Sequence, residues 1–223
     1  MDKTSRLVIV GAGEFALIAF EYFSFDSPYE VVAFAAEREY LQKTSINGLP
    51  VVPFEDLASL YPPDLHHAFV AIPASQLNQL RRRLYLETKA RGYPLASYIS
   101  SRAFVWRNAK VGENTFIFEN NVVQPFVEIG NDCVLWSGNH IGHRTVIRDH
   151  NFIASHAVIS GYCEVGEGCF IGVNATLNDR IKIADACVIG SGSLVVKDTE
   201  PGKIYIGQPA RAVPGKSSRD VEL

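Results

Sequence analysis

Four of the six histidines in this 223-residue chain fall within 17 residues: His140, His143, His150 and His156. Imidazole is the side chain best matched to proton transfer near neutral pH, and in clusters it binds transition metals. The four cysteines, Cys133, Cys163, Cys169 and Cys187, show neither CxxC nor Cys/His spacing, so no zinc site is expected. A second candidate lies near the N-terminus. Gly11-Ala12-Gly13-Glu14-Phe15-Ala16 follows an apolar run, and such a glycine turn lets a phosphate approach a helix N-terminus.

The elements that must position these residues follow two rhythms. From Ile99 to Val195 every sixth residue is aliphatic without a slip. Neither a strand nor a helix has that period, whereas a hexapeptide solenoid does. Each hexad makes one short strand and one turn, and three hexads make one triangular coil of a parallel β-helix. Coils of 18 residues, stacked about 4.8 Å apart, predict a prism roughly 26 Å long. No hexad carries an insertion, so no side loop is available to build a site, and flat parallel faces predict a homotrimer.

Residues 1–98 read differently. Strands are expected at Leu7–Val10, Val31–Phe34, Ala68–Ile72 and Leu95–Tyr98, with Val51-Val52 starting or flanking another short element. Helices are expected up to about Phe25 and over Ser75–Arg91. That alternation predicts a small α/β, Rossmann-like domain with a parallel sheet. The expected division is therefore 1–98, a β-helix over 99–213, and a tail over 214–223.

Hexad phase assigns the remaining residues. All four cysteines stand two residues before an aliphatic position, a slot shared with Ala103, Ala109, Ala157 and Ala175, and read as small core fillers. His140, His150 and His156 read as surface polar residues. His143 stands in a corner turn two residues after Ile141, and one coil further on lies Gly161. An imidazole beside a glycine N–H supplies a general base and a donor for a thioester oxyanion.

These residues carry a resemblance. Ile141-Gly142-His143, Ser160-Gly161, Gly168 to Asn174 and Gly207-Gln208-Pro209-Ala210-Arg211 resemble the bacterial sugar acyltransferases of the sialic acid O-acetyltransferase and UDP-4-amino-sugar N-acetyltransferase type. The resemblance implies a left-handed β-helix, a trimer, and acetyl-CoA in a groove between two prisms, with His143 as general base. It implies acetyl-CoA contacts at Phe152, Gly161, Val173 and Ser191. It also implies that the tail Gly207, Pro209, Ala210 and Arg211 closes over the adenine end; a plain solenoid cap is the alternative. The implied activity is acetylation of an amino or hydroxyl group on a nucleotide-linked sugar for bacterial surface glycans, by direct attack.

The chain departs from that family at several places. Arg144 stands where an acidic residue often follows the histidine, so either another group, Asp149 being one candidate, or a backbone carbonyl must orient His143. In the N-terminal domain the implied sugar-binding positions are Gly11, Gly13, Glu14, Phe15, Glu37 and Pro73, but Glu14-Phe15 stands where the family has a Gly-His pair, Ala35-Ala36 (Glu37 next) where it has an acidic pair, and Pro73 where it has a glycine. A non-catalytic trimeric scaffold is the alternative. A zinc enzyme of the gamma carbonic anhydrase type is a weaker one, since the His-x-x-x-x-His pair is absent.

Composition narrows the partners. With 21 basic and 24 acidic residues the net charge is −3, and no basic stripe suggests nucleic acid. Arg81-Arg82-Arg83 reads as a solvated helix face. The N-terminal apolar stretch of four residues is too short for a signal peptide or membrane span, so a cytoplasmic location is expected.

Overall fold

In the computed structural model, which describes residues 2–222, the chain forms two compact units. The first comprises residues up to Pro73 together with Arg81–Tyr98, and the second Ala74–Leu80 together with Ile99 onward.

The first unit is built on a sheet of β1 (Ser5–Val10), β2 (Tyr29–Ala36), β3 (Ser45–Ile46), β4 (Leu49–Pro53) and β5 (His66–Val70), in the order β3-β4-β2-β1-β5. All pairs are parallel except β3 with β4. Leu7, Val8 and Ile9 are fully buried, as an apolar run in a central parallel strand requires. Helix α1 (Glu14–Phe25) sets Phe15, Ala16, Ala19 and Phe23 into the core. The helix expected from Ser75 begins only at Gln79 and runs to Ala90. Its start is delayed because Gln76, Leu77 and Asn78 all take left-handed backbone, which cannot enter a right-handed helix. The expected strand at Leu95–Tyr98 reduces to a bridge of Leu95 with Ala68 and a two-residue strand, Tyr98–Ile99.

The second unit is a left-handed parallel β-helix, with a two-residue strand every six residues up to Leu194–Val195. Its first face holds six strands, beginning at Phe104–Val105 and including His140–Ile141 and Val158–Ile159. The second face holds five, from Lys110–Val111 to Lys182–Ile183. The third is extended to eight by Ile204–Gly207 and Ala210–Ala212. Partners stand 18 residues apart in register, as in His140 with Val158. The turn after each face is called here by that face's number, so the first corner holds 106–109, 124–127, 142–145, 160–163 and 178–181.

The six-residue series supplies the core. Ile117 to Val195 are buried at every step, each contributing about 1.5–3 kcal/mol of burial. Ile99 departs from the series: at 41% exposure it lies at the open end, with no coil before it to cover it. Cys133, Cys163, Cys169 and Cys187 are all buried and unbridged among that core. In the same inward slot, Asn151 closes the turn, donating to the carbonyls of Arg148 and Gly166 and accepting from Cys169 N.

The outer surfaces of the faces differ. The second is charged, with Lys110 on Glu128 at 2.7 Å and Arg148 on Glu164 at 2.5 Å. On the third, Leu77 packs with Val188 and Ile204, and Asn78 Nδ2 donates to the Cys169 carbonyl. The first is apolar and bare, with Phe104 53% and Val158 40% exposed.

Two assignments change. Arg81 is fully buried rather than solvated, its guanidinium donating to the carbonyls of Ile72 and Pro73. His150 is buried too, with Nδ1 2.9 Å from Asp132 Oδ2, and Asp132 also accepts from Asn114 Nδ2. The turn slot it occupies at the second corner points along the column rather than outward, which a surface reading overlooked.

Candidate functional site

His143 stands exposed at the first corner. Its position follows from the coil: the core residue Ile141 ends the strand, Gly142 enters the turn, and the next side chain must point out. Gly142 is required because a Cβ there would lie 2.5 Å from the Ser160 carbonyl carbon on the next coil. Gly161 is required by the histidine itself, since a Cβ at 161 would lie 2.7 Å from His143 Cε1. The imidazole therefore lies flat against the glycine, as the 18-residue spacing predicts.

Gln124 orients the ring. Its Oε1 accepts from His143 N at 2.9 Å and lies 3.3 Å from Nδ1. With that oxygen as acceptor the proton resides on Nδ1, leaving Nε2 with its lone pair free to accept a proton. Asp149 does not take this role: it is at the second corner, where it accepts from Asn131 N and Nδ2. Gln124 escaped notice because it is 19 residues upstream, one beyond a full coil. Tyr162 meets the imidazole edge-on at 5.1 Å. Arg144 turns away, its guanidinium carbon 4.5 Å from the centroid of the Phe126 ring.

The other residues implied for a cofactor fall in different places. Val173 and Ser191 are exposed in one column at the third corner, one coil apart. The tail joins them there. Gly207–Arg211 is a hairpin in which Gln208 Nε2 donates to the Gly192 carbonyl and Gly207 N to Ser193 Oγ. Ala210 belongs to the core and closes the end of the prism, while Gly207, Pro209 and Arg211 remain exposed. The hairpin thus caps the solenoid and borders the column together. Phe152 is not at either corner. It is buried on the third face, stacked on Phe170 at 5.5 Å.

The first unit's candidates lie at the carboxyl ends of its parallel strands, where open α/β sheets bind ligands. Gly11 (φ +134°) is fixed by a structural demand, because a Cβ would lie 2.6 Å from the Ala71 carbonyl oxygen. Gly13 instead faces open space as the N-cap of α1, with Glu14 exposed beside it. Phe15 is core, edge-on to Phe69, and presents no ring to a ligand. Glu37 is gripped by both terminal nitrogens of Arg83 at 2.8 and 2.9 Å, which raises the Arg83 pKa and occupies both carboxylate oxygens. Pro73 is exposed, its carbonyl held by Arg81.

Among the described residues no three His, Cys, Asp or Glu side chains converge as a metal site. Nor, among the described residues, is any helix long and apolar enough to cross a membrane.

Residues 108–143 match the family model for the bacterial transferase hexapeptide (six repeats). The prism is a hexapeptide-repeat β-helix. The whole architecture, α/β unit included, recurs in solved structures. A variant of perosamine N-acetyltransferase from Caulobacter crescentus, solved with CoA and GDP-perosamine, is 24% identical, with 94% of this chain and 97% of that one covered and a TM-score of 0.84. The acetyltransferase domain of PglB from Neisseria gonorrhoeae is 24% identical over 94% and 100%, with a TM-score of 0.85. WeeI from Acinetobacter baumannii is 21% identical over 94% and 100%, with a TM-score of 0.68. No curated protein matches the chain in sequence.

Proposed function

We propose that this hexapeptide-repeat protein transfers an acetyl group from acetyl-CoA to an amino or hydroxyl group of a nucleotide-linked sugar, in the cytoplasm, for bacterial surface glycans. The observation that carries the reading is His143: an exposed imidazole, seated on Gly161 and oriented by Gln124 through Nδ1. A neutral base of this kind takes the proton from the attacking amine or hydroxyl as the new bond to the thioester carbonyl forms. The tetrahedral intermediate then expels CoA as its thiolate. The one cysteine of this corner, Cys163, is buried with its thiol on the Asn178 carbonyl, so no nucleophilic thiol is presented beside the base and attack is direct. The bound CoA and GDP-perosamine of the Caulobacter structures and the acetyl coenzyme A of the Neisseria domain support the reading.

The residues present fit acetyl-CoA. Gly161 leaves a flat backbone surface beside the base, and the Val173–Ser191 column ends at an exposed hairpin. Those two columns stand at opposite edges of the bare first face, so one chain alone does not complete a groove. Side-by-side packing of that face in a homotrimer would cover Phe104 and Val158 and set one chain's first corner against another's third. Four unbridged thiols suit a reducing compartment. In this reading residues 1–98 hold the nucleotide-sugar through Gly13 and Glu14, residues 99–213 catalyse, and 214–223 form the tail.

The test is thiol release from acetyl-CoA against UDP-, TDP- and GDP-linked amino sugars, with size-exclusion chromatography alongside. His143→Ala should abolish transfer, at least a thousandfold, and leave the oligomer intact. Near-normal turnover by that variant refutes the mechanism, and a protein that shows no heat with coenzyme A is a scaffold instead.

A further inference from the structure

Left-handed backbone recurs at one turn residue in every six, from Asn114 to Gly192, with φ between 52° and 81°. That conformation favours Gly and Asn, accommodates Asp and His, and disfavours bulky side chains. Two corners comply. The second places Asn114, Asp132, His150, Gly168 and Ala186 there, and the third Asn120, Gly138, His156, Asn174 and Gly192. At the first corner the same slot holds Phe126, Arg144, Tyr162 and Arg180. The disfavoured residues are thus concentrated on the corner that carries His143. Strain retained at one place in an otherwise compliant repeat points to a use for the side chains.

These four form a ladder. Arg144 lies over Phe126 at 4.5 Å, and Arg180 over Tyr162 at 4.6 Å. Stacking fixes each guanidinium plane while its N–H edge stays available, the arrangement suited to binding a carboxylate or phosphate. Arg180 already has Asp179 beside it, Nε to Oδ2 at 3.3 Å. Arg144 has no carboxylate beside it among the described residues, and its only side-chain partner is the Phe126 ring.

Direction along the prism separates the two reactants. Gly161, Val173 and Ser191, the proposed donor contacts, all lie on coils after that of His143. Arg144 leans the other way, onto the coil of Phe126. We propose that Arg144 determines acceptor specificity by receiving an anionic group of the acyl acceptor, either a carboxylate on the sugar or the phosphate nearest it. This inference rests on the transferase reading above.

The experiment is calorimetric titration of the full chain with UDP, GDP, TDP, glucuronate and, separately, acetyl-CoA. It compares wild type with Arg144→Gln and with Arg148→Gln, which removes the same charge at another corner. At least one acidic probe should bind wild type and weaken about tenfold or more in Arg144→Gln, with less than a twofold change in Arg148→Gln. Acetyl-CoA should change less than twofold in Arg144→Gln. Binding of a nucleoside diphosphate assigns the phosphate, and binding of glucuronate the carboxylate. The proposal is overturned if no acidic probe binds wild type, if Arg144→Gln binds like wild type, or if Arg144→Gln weakens acetyl-CoA instead. Failure of acetyl-CoA to bind wild type would sink the transferase reading alone, since the acidic probes report on Arg144 independently.

Discussion

Gly161→Ala isolates the positioning of the base from the chemistry of the base. The new Cβ would lie 2.7 Å from His143 Cε1 and 3.1 Å from both ring nitrogens. Ordinary contact begins at 3.4 Å, so the ring must move by about 0.7 Å. Gln124 Oε1 lies 3.3 Å from Nδ1, already long for a hydrogen bond, so a shift of that size breaks the contact that orients the ring. A base displaced on the ångström scale costs up to about a hundredfold in rate, so kcat should fall between about ten- and a hundredfold.

Stability should barely respond. Gly161 does not hold left-handed backbone, the displaced ring is exposed, and one hydrogen bond is worth about 1 kcal/mol net. For a chain of this size that is a fall in Tm of roughly 2–4 °C. The assay is initial-rate thiol release beside thermal unfolding. Gln124→Ala supplies the control: it removes the orienting bond beforehand, so Gly161→Ala should cost less in that background than in wild type. A kcat within twofold of wild type, or losses that simply add in the double variant, would refute the geometry.

The cysteines and one charged cluster give two further expectations. Burial pushes the thiols of Cys163, Cys169 and Cys187 above their ordinary pKa, so a thiol reagent at pH 8 should label none of the four cysteines in the native protein and all four in denaturant. The hydrogen bond from Arg148 holds the Glu164 carboxyl below its ordinary pKa. A depressed carboxyl contributes stability above its unfolded pKa and loses it as pH falls through the folded one. Urea unfolding of Glu164→Gln should therefore show a loss of roughly half a kcal/mol or less at pH 7, which vanishes near pH 2. An equal loss at both pH values would show that the ion pair is not its cause.

How much was legible in the sequence depended on the range of the interaction that decided each feature. The aliphatic series at period six names the β-helix, because each core residue is decided by its own hexad. His143 beside Gly161 was legible for the same reason, one coil being 18 residues. Gln124 was not, since it reaches across from a neighbouring slot, and slot phase alone does not say which way a side chain leans. His150 was misread because a turn slot can aim along the column and be buried. In the first unit the losses were larger. Arg81 and Glu37 are fixed by Pro73 and Arg83, residues that only a folded sheet brings near, so a basic run and an acidic residue looked solvated and available when both were engaged.

The repeat also explains where its own function must be sought. A solenoid writes two constraints into each hexad, an inward aliphatic and a left-handed turn residue. The first is obeyed from Ile117 to Val195, so the core has no freedom to encode a site. The second is obeyed at the second and third corners, Ala186 apart, and flouted at the first by Phe126, Arg144, Tyr162 and Arg180. A corner that needed only to turn the chain would have drifted toward Gly and Asn, which do so with less strain. The residues that resist that drift surround His143. What the core residues say about architecture, these four say about chemistry, by the same periodic rule and through its exceptions.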